Sequence, residues 1–431
     1  MVAFLTEEVK SRWNKVLNAG EKIADAYRRN VTTILLENTQ KALREAAPTN
    51  VTGNVQNYDP VVISLLRRAA PKLISYEIGA TQPMTGPTGL VFAMRARYPG
   101  GDGNMFDDVE ALFDEANTAW GGAGSEGTVG TASTYDTAAD PSVMAVTEDT
   151  AKYTTGTGMT TSQLELLSSG GSAPEMKEMG FTIEKVVVTA KGRALKATFT
   201  TELQQDLKAI HGLDADAELT NILSTELLAE INREFVRTMY IIAKIGAQDA
   251  KITTKGTFDM STDSDGRWSA EQYKGLKMQI EKEANMIQKE TRRGRGNIIV
   301  ASPNVVAALS ESGRLDYAPA LQTELNLDVA TTTYAGLLDG RFKVYSDPYL
   351  AGNSADFVCA GYRGTNEYDA GLFYCPYVPL EVYRTTGEND FQPRIGFKTR
   401  YGMIANPFAS ANGALTRHAN GYYRKMKVVN L

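Results

Sequence analysis

The chain has 431 residues, 42% of them hydrophobic and 22% charged, and its formal net charge is −6. These values predict a globular protein of two or three domains, or of one large core with insertions, and the acidic balance excludes long-range attraction for DNA. The sequence has no run of about 18 apolar residues to cross a membrane, and residues 1–43 lack a secretory pattern. We therefore expect a protein made and used in a cytoplasm, without a membrane partner.

Residues for metal binding and nucleophilic catalysis are scarce. The cysteines and histidines of the whole chain are Cys359, Cys375, His211 and His418. A zinc site needs about four clustered ligands, and a serine or cysteine nucleophile needs a neighbouring histidine. We therefore expect no cofactor, no metal and no nucleophilic centre, and we interpret both thiols as reduced core residues.

In chain order, the first element is an arm of 45 residues. Its apolar residues recur at helical spacing, which predicts an amphipathic helix. The tripeptide Leu43–Glu45, followed by Ala46, fits the pattern Leu or Ile, any residue, then Glu before a small residue. It lies where the arm gives way to a looser linker that a protease can bind in extended form. Leu35–Glu37 and Leu228–Glu230 also match, so position makes Leu43–Glu45 the candidate cleavage site.

The window from Gly100 to Pro174 is rich in Gly, Thr, Ser, Ala and Asp. Between Pro99 and Met176, thirteen acidic residues stand against one base, Lys152. Few bulky apolar residues offset the entropy of ordering, and the window is too long for a plain loop. We interpret it as a projecting loop with an inserted β-rich module, which meets basic patches on neighbouring copies or faces solvent. A carbohydrate-binding module is an alternative.

Beyond this window, Phe181–Thr189 and Leu195–Thr200 predict two strands paired with each other. The strongest single element follows them. Apolar residues recur every three or four positions from Asp214 to Lys244, which predicts a helix roughly 45 Å long. A helix of this length must span the body of a domain or bridge several layers.

The long helix carries three carboxylates one turn apart and two arginines. Glu226, Glu230 and Glu234 suit acid–base catalysis only in a pocket that raises one pKa. Arg233 and Arg237 beside them favour instead a charged face that is solvated or paired across a subunit interface.

After the long helix, alternating helix and strand patterns predict an α/β region. A helix from Ser269 ends near Gly294, where Arg293 and Arg295 form a basic turn. The turn fits no phosphate-binding motif, and it ends a helix instead of opening one. We therefore interpret it as a basic turn at a helix C-terminus, which can also face an acidic partner surface. Further strands are predicted at Asn297–Ala301, Arg341–Tyr345, Phe357–Ala360, Gly371–Tyr374, Val378–Arg384, Gly396–Ile404 and Tyr422–Val429.

Several blocks of the sequence resemble the major capsid protein of T-even-type tailed phages. They follow the order of that family from roughly Asp59 to Phe408, and the match fades in residues 100–174 and before residue 57. The blocks are Asp59–Arg68 with Pro71, Gln82–Arg97, Glu178–Phe181 with Lys191–Lys196, Gln205–Leu219, Glu230–Glu234, Arg293–Ser302, Asn366–Gly371 and Phe391–Phe408.

The resemblance implies an α+β fold of the Hong Kong 97 capsid type. The implied division of the chain is an N-terminal arm or propeptide (1–45), an N-arm with the start of the extended loop (46–99), an acidic insertion in that loop (100–174), a peripheral domain (175–268) with its spine helix (214–244), an α/β axial domain (269–384) and return strands of the peripheral domain (385–431).

The resemblance also implies a non-enzymatic major capsid protein, which assembles from hexameric capsomers into an icosahedral or prolate head shell around a phage genome. A prohead protease would cut between Glu45 and Ala46. The candidates for charge contacts between subunits are Arg233, Arg237, Arg293 and Arg295. The implied partners are vertex, portal and scaffolding proteins, the protease, a host or phage-modified chaperonin, and packaged DNA bound only non-specifically. Two alternatives stay open: the pentameric vertex paralogue of the same family, and an unrelated cytoplasmic α/β enzyme.

Overall fold

Two compact units make up the chain. Unit 1 comprises Met1–Val91, Val186–Ile287 and Arg295–Leu431, and unit 2 comprises Phe92–Lys185 and Gln288–Gly294. The computed structural model describes residues 7–18, 23, 25–45, 73–98, 110–113, 116, 120–122, 157–167, 176–264, 266, 268–313, 315–317, 333–349, 356–366, 368–387, 392–409 and 413–431. Most of the acidic window and the residues from Ala46 to residue 72 lie outside this description. The six-part division of the chain stays a prediction.

The described helices vary from single turns to one of 28 residues. They are α1 (Glu7–Asn18), α2 (Ala26–Glu45), α3 (Ser75–Ile78), α4 (Thr161–Glu165), α5 (Thr201–Ile210), α6 (Ala215–Ile242), α7 (Ser269–Thr291) and α8 (Pro303–Glu311).

The described strands alternate with these helices, as expected for an α+β chain. They are β1 (Ala80–Thr81), β2 (Thr88–Arg97), β3 (Gly180–Thr189), β4 (Lys191–Thr198), β5 (Ala243–Ile245), β6 (Thr257–Asp259), β7 (Ile298–Ala301), β8 (Leu315–Tyr317), β9 (Thr333–Leu338), β10 (Phe342–Ser346), β11 (Asp356–Gly361), β12 (Leu372–Thr386), β13 (Pro393–Ala405) and β14 (Asn420–Val429).

Three sheets organise the described strands. The largest has eight strands in the order β5-β14-β11-β7-β10-β9-β8, with β6 beside β14. It is mixed, because β7 runs parallel to β10 and antiparallel to β11. A four-stranded sheet has the order β1-β12-β13-β4, and a two-stranded ribbon consists of β2 and β3.

Strand β7 stands between two hydrophobic cores of unit 1. Its four side chains are all buried, and successive side chains of a strand point to opposite faces. Ile298 and Val300 enter a core built with α1, α2 and α6. Ile299 and Ala301 enter a second core built with α7 and α8. The eight-stranded sheet is therefore a wall shared by both cores.

The predicted pairing of the two strands after residue 180 is wrong, although both strands exist. Strand β3 pairs with β2, and β4 pairs with β13 in another sheet. Only Ala190 separates β3 from β4, and its N–H donates to the Pro87 carbonyl over 2.9 Å. One residue is too short for a hairpin, whose tightest common loop has two.

The predicted long helix is present as α6. Asp214 caps its N-terminus by accepting a hydrogen bond from the Asp216 N–H over 3.2 Å. The helix ends at Ile242, two residues earlier than predicted, because Ala243 takes an extended conformation and opens β5. Lys244 therefore lies in a strand that pairs with β14.

A buried ion pair joins α7 to β14. Arg424 donates to Glu283 over 2.7 Å, and both side chains are 5% exposed. The second oxygen of Glu283 accepts from the Ala247 N–H over 2.7 Å and from the Gln279 amide over 3.0 Å. The charges are thus paired and hydrogen-bonded, the condition under which ions are tolerated in a protein interior.

We predict that Glu283→Gln lowers the free energy of unfolding by about 3–5 kcal/mol, because it leaves the Arg424 charge buried without a counter-ion. Glu281→Gln on the same helix is the matched control. Its pair with Arg295 has side chains 29% exposed, so the loss should stay under about 1 kcal/mol. Urea unfolding of both variants measures the difference, and equal losses would contradict the assignment.

Candidate assembly surfaces

The two cysteines are buried, and two of the three carboxylates considered for catalysis, Glu230 and Glu234, are ion-paired. Burial raises the pKa of Cys359 and of Cys375 to about 12, so both thiols stay protonated and unreactive. Arg193 binds Glu230, and it also binds Glu234 over 2.6 Å. In the part of the chain that the structure describes, no three His, Cys, Asp or Glu side chains gather as metal ligands. No helix there is long and apolar enough to cross a membrane.

The two-stranded ribbon exposes its apolar side chains. On the part of β2 and β3 that belongs to unit 2, Phe92 is 47% exposed, Met94 68%, Phe181 64% and Ile183 56%. These residues alternate along their strands, so they share one face of the ribbon. A contiguous exposed apolar face on a sheet is a mark of an interaction surface.

The opposite face of the ribbon is charged and partly buried. Arg95 binds Glu110 and Glu184, each over 3.1 Å. Arg97 binds Glu184 over 3.1 Å, and its side chain is also bonded to Thr182 over 3.2 Å. A sheet of a soluble protein normally buries its apolar face and exposes its polar one. In this ribbon the arrangement is inverted.

Arg293, a predicted intersubunit contact, belongs to this charged face. It binds Glu110 over 3.2 Å, and its guanidinium lies over the Phe113 ring at 3.9 Å from the ring centre. Its charge is therefore satisfied within unit 2. Arg295 likewise has a partner in its own chain, Glu281, at 3.4 Å.

The two predicted arginines of α6 differ. Arg233 binds Asp347 over 2.6 Å, and Tyr240 donates to the same carboxylate over 2.8 Å. Asp347 is fully buried, so Arg233 supplies its counter-charge. Arg237, one turn further on, is exposed and pairs with no residue that the structure describes. Of the four predicted arginines, Arg237 is therefore the one without an ion pair among the described residues, and its contact with another subunit stays a prediction.

Helices α1 and α2 are part of the core of unit 1. Trp13 and Leu17 of α1 and Val31, Leu35 and Leu36 of α2 are buried among residues of α6 and β12. Helix α2 thus closes one side of an apolar groove, which Leu35 of α2 lines. The other lining residues are Leu73, Ser224, Leu227, Leu228, Ile231, Tyr374, Pro376, Pro379 and Leu380.

Polar contacts hold α2 at both ends of this groove. Arg28 binds Glu77 at one end. At the other end, the Asn38 amide donates to the carbonyls of Met84, over 2.7 Å, and Tyr377, over 3.0 Å. Burial favours the neutral form of Glu77, but Lys343 and then Arg28 outweigh it and hold the pKa of that carboxyl below its usual range.

The candidate cleavage site lies at the end of the arm. Glu45 is the last residue of α2, and Ala46 lies outside the described residues. The two competing matches lie inside helices: Leu35–Glu37 in α2 and Leu228–Glu230 in α6. A protease needs an extended substrate, which only the end of a helix offers without unwinding its middle.

Sequence reasoning missed the inverted ribbon, although its signal was present. Leu90, Phe92 and Met94 alternate with Arg95 and Arg97 along one strand. Alternation alone does not say which face is buried, because that depends on the partners Glu110 and Arg293, which are distant in sequence.

The comparisons with known proteins agree with an assembly subunit. The sequence matches the family of the major capsid protein Gp23 over residues 55–428. It is 40% identical to the major capsid protein of Salmonella phage ViI over 99% of both chains. The major capsid protein of Enterobacteria phage T4 is 37% identical over 91% of this chain and 84% of its own. The capsid vertex protein of the same phage is 30% identical over 56% of each chain. Among solved structures, the capsid of Myoviridae phage XM1 covers 90% of this chain and 98% of its own, with 8% identity and a TM-score of 0.38.

The family match defines a shell-forming structural protein and not an enzyme. The chain belongs to the Gp23 family of major capsid proteins. It self-assembles into the capsid shell of a tailed-phage virion, and the structure confirms the predicted α+β fold. The vertex alternative is not supported, because that relative matches only about half of the chain.

We predict that substitution of Arg233 affects mainly the stability of the fold, whereas substitution of Arg237 affects mainly shell assembly. Arg233→Gln should lower the free energy of unfolding by about 2–4 kcal/mol, because Asp347 loses its buried counter-charge. Arg237→Gln should change it by less than about 0.5 kcal/mol but reduce the yield of shells. Urea unfolding and electron microscopy of the same two preparations provide the comparison. A large unfolding effect for Arg237→Gln would count against an intersubunit role.

Proposed function

We propose that the subunit forms hexameric capsomers of an icosahedral or prolate head shell, and that the apolar face of the β2–β3 ribbon docks on another copy. The inverted ribbon carries this proposal. Phe92, Met94, Phe181 and Ile183 are exposed in one copy, whereas the charges beneath them are satisfied. Among the described residues none covers these side chains, and a surface of another copy would remove them from water.

The strength of such a contact suits a lattice. Fully burying one large apolar side chain contributes about 1.5–3 kcal/mol, and ordering losses on association cancel part of it. A single ribbon contact is thus modest. A closed symmetric shell repeats the contact in every subunit, so weak contacts add up to a stable assembly and still permit correction during growth.

We propose in addition that a prohead protease cleaves between Glu45 and Ala46 and removes residues 1–45. Leu43–Glu45 lies at the very end of α2, whereas the competing sites at Leu35–Glu37 and Leu228–Glu230 lie in the middle of helices, and this difference supports the choice. Removal of the arm would open the apolar groove that α2 closes on one side. We propose that this change of surface permits expansion of the shell.

The remaining partners follow from the same role. We propose that vertex, portal and scaffolding proteins share the shell lattice with this subunit, and that a host or phage-modified chaperonin assists its folding. Packaged DNA would meet the shell only non-specifically, because the chain carries a net charge of −6.

The ribbon contact can be tested with a double substitution. Phe92→Ser with Phe181→Ser should leave unfolding nearly unchanged, because both side chains are exposed, and should lower the shell yield at least about tenfold. Phe92→Leu with Phe181→Leu keeps an apolar face and is the matched control. Sedimentation of the assembly mixtures measures the yield, and normal shells from the serine variant would refute the contact.

The cleavage proposal predicts that mature virion protein starts at Ala46. Glu45→Gln should block this start, because the pattern requires glutamate, whereas Glu37→Gln alters the same pattern inside α2 and should leave it unchanged. Intact-mass spectrometry of purified virions gives the N-terminus directly. Mature virions whose subunits retain residues 1–45 would rule the proposal out.

A further inference from the structure

The four-stranded sheet of unit 1 presents a basic outer face. In β13, Ile395 and Phe397 point into the core, so Arg394, Lys398 and Arg400 point to the other side. The inner face is the one that packs on α6, where Arg193 of β4 binds Glu230. At the other end of the outer face, Phe373, Cys375 and Ile404 are buried in a third apolar cluster, so the basic surface is the end of the sheet around residues 394–400.

Strand pairing brings a fourth base to this face from 200 residues away. Lys196 of β4 lies opposite Gly396, so it stands diagonally between Arg394 and Lys398. Diagonal neighbours on adjacent strands lie roughly 7–8 Å apart. We call Lys196, Arg394, Lys398 and Arg400 the basic face.

Lys196 and Lys398 are the bases of this face that are open to a partner. Glu381 lies opposite Lys398 on β12, and its carboxylate accepts a hydrogen bond from Tyr383 over 2.7 Å. Lys196 and Lys398 are exposed, and neither forms an ion pair with a residue that the structure describes. Bases this close repel each other, so an anionic partner is favoured.

The same chain carries a matching anion. The window between Pro99 and Met176 has a net charge of about −12, so the remainder of the chain carries about +6. Subunits with equal net charge repel one another in a shell unless opposite charges meet across copies. An acidic segment of one copy and a basic face of another provide such a meeting in every repeat of the lattice.

We propose that the basic face binds the acidic window, residues 100–174, of a second copy in the shell. This inference rests on the self-assembly of the chain but not on the ribbon contact. DNA is the less favoured occupant for two reasons. Every subunit brings one acidic window for each basic face, whereas DNA has no such fixed ratio, and the whole chain is acidic and so repels DNA.

Zero-length cross-linking tests the partner directly. Shells are assembled from an equal mixture of ¹⁵N-labelled and unlabelled full chains, and a carbodiimide then joins lysine amines to carboxylates in contact. Mass spectrometry should find Lys196 and Lys398 linked to carboxylates of residues 100–174. Because the link joins two randomly paired copies, a labelled peptide should be joined to an unlabelled one as often as random pairing predicts. Lys277 and Asp339, 2.5 Å apart in one chain, should give unmixed links and serve as the internal control.

Each other outcome overturns the proposal. Unmixed links would place the acidic window on its own copy, and links to carboxylates elsewhere would identify a different partner. Lysines that stay unlinked, but are protected from acetylation only in DNA-filled shells, would identify DNA as the occupant. If the mixture forms no shells, the self-assembly of the chain fails instead, so the two failures are distinguishable.

Charge reversal provides a second measurement. Lys196→Glu with Lys398→Glu should raise the chain concentration needed for shell formation about tenfold at low salt, and the difference should shrink as salt screens the charges. Lys208→Glu with Lys274→Glu makes the same change of charge at exposed lysines of α5 and α7 and is the matched control. Equal effects of the two double variants, or a difference independent of salt, would refute the proposal.

Discussion

The shared wall of β7 is the constraint on which unit 1 depends. Its residues Ile298–Ala301 are buried on both faces, so neither face is free to tolerate a polar side chain or a change of register. The core with α6 lies on one side and the core with α7 on the other. A shift of one residue in this strand would exchange the side chains of both cores, and the two helices would lose their packing together.

Charge is placed as strictly as apolar surface. Arginine partners are turned inward at Asp347, Glu283 and Glu110, whereas Phe92 and Phe181 are turned outward. A monomer built in this way is folded but exposes apolar side chains to water. The subunit therefore reaches its lowest free energy in contact with copies, which is the physical basis of a protein that functions only in an assembly.

Local signals predicted the helices well, because capping and apolar periodicity act within a few residues. The long helix was predicted to within two residues at its C-terminal end. Strand partners were not predictable, since β4 pairs with a strand about 200 residues away. The carboxylates that pair with the arginines were not predictable for the same reason. Arg293 and Arg233 bind carboxylates that are 183 and 114 residues away in the sequence. The basic face likewise exists only after β4 and β13 meet.

The burial of α1 and α2 means that the subunit folds under different conditions before and after the arm is removed. Trp13, Leu35 and Leu36 are core residues, so a newly synthesised chain folds around its own arm. A chain cleaved after Glu45 would keep a fold that formed while the arm was still attached. Once denatured, such a chain would refold less readily than the full-length chain, because the arm is missing. The subunits of the shell would therefore be kinetically as well as thermodynamically stabilised.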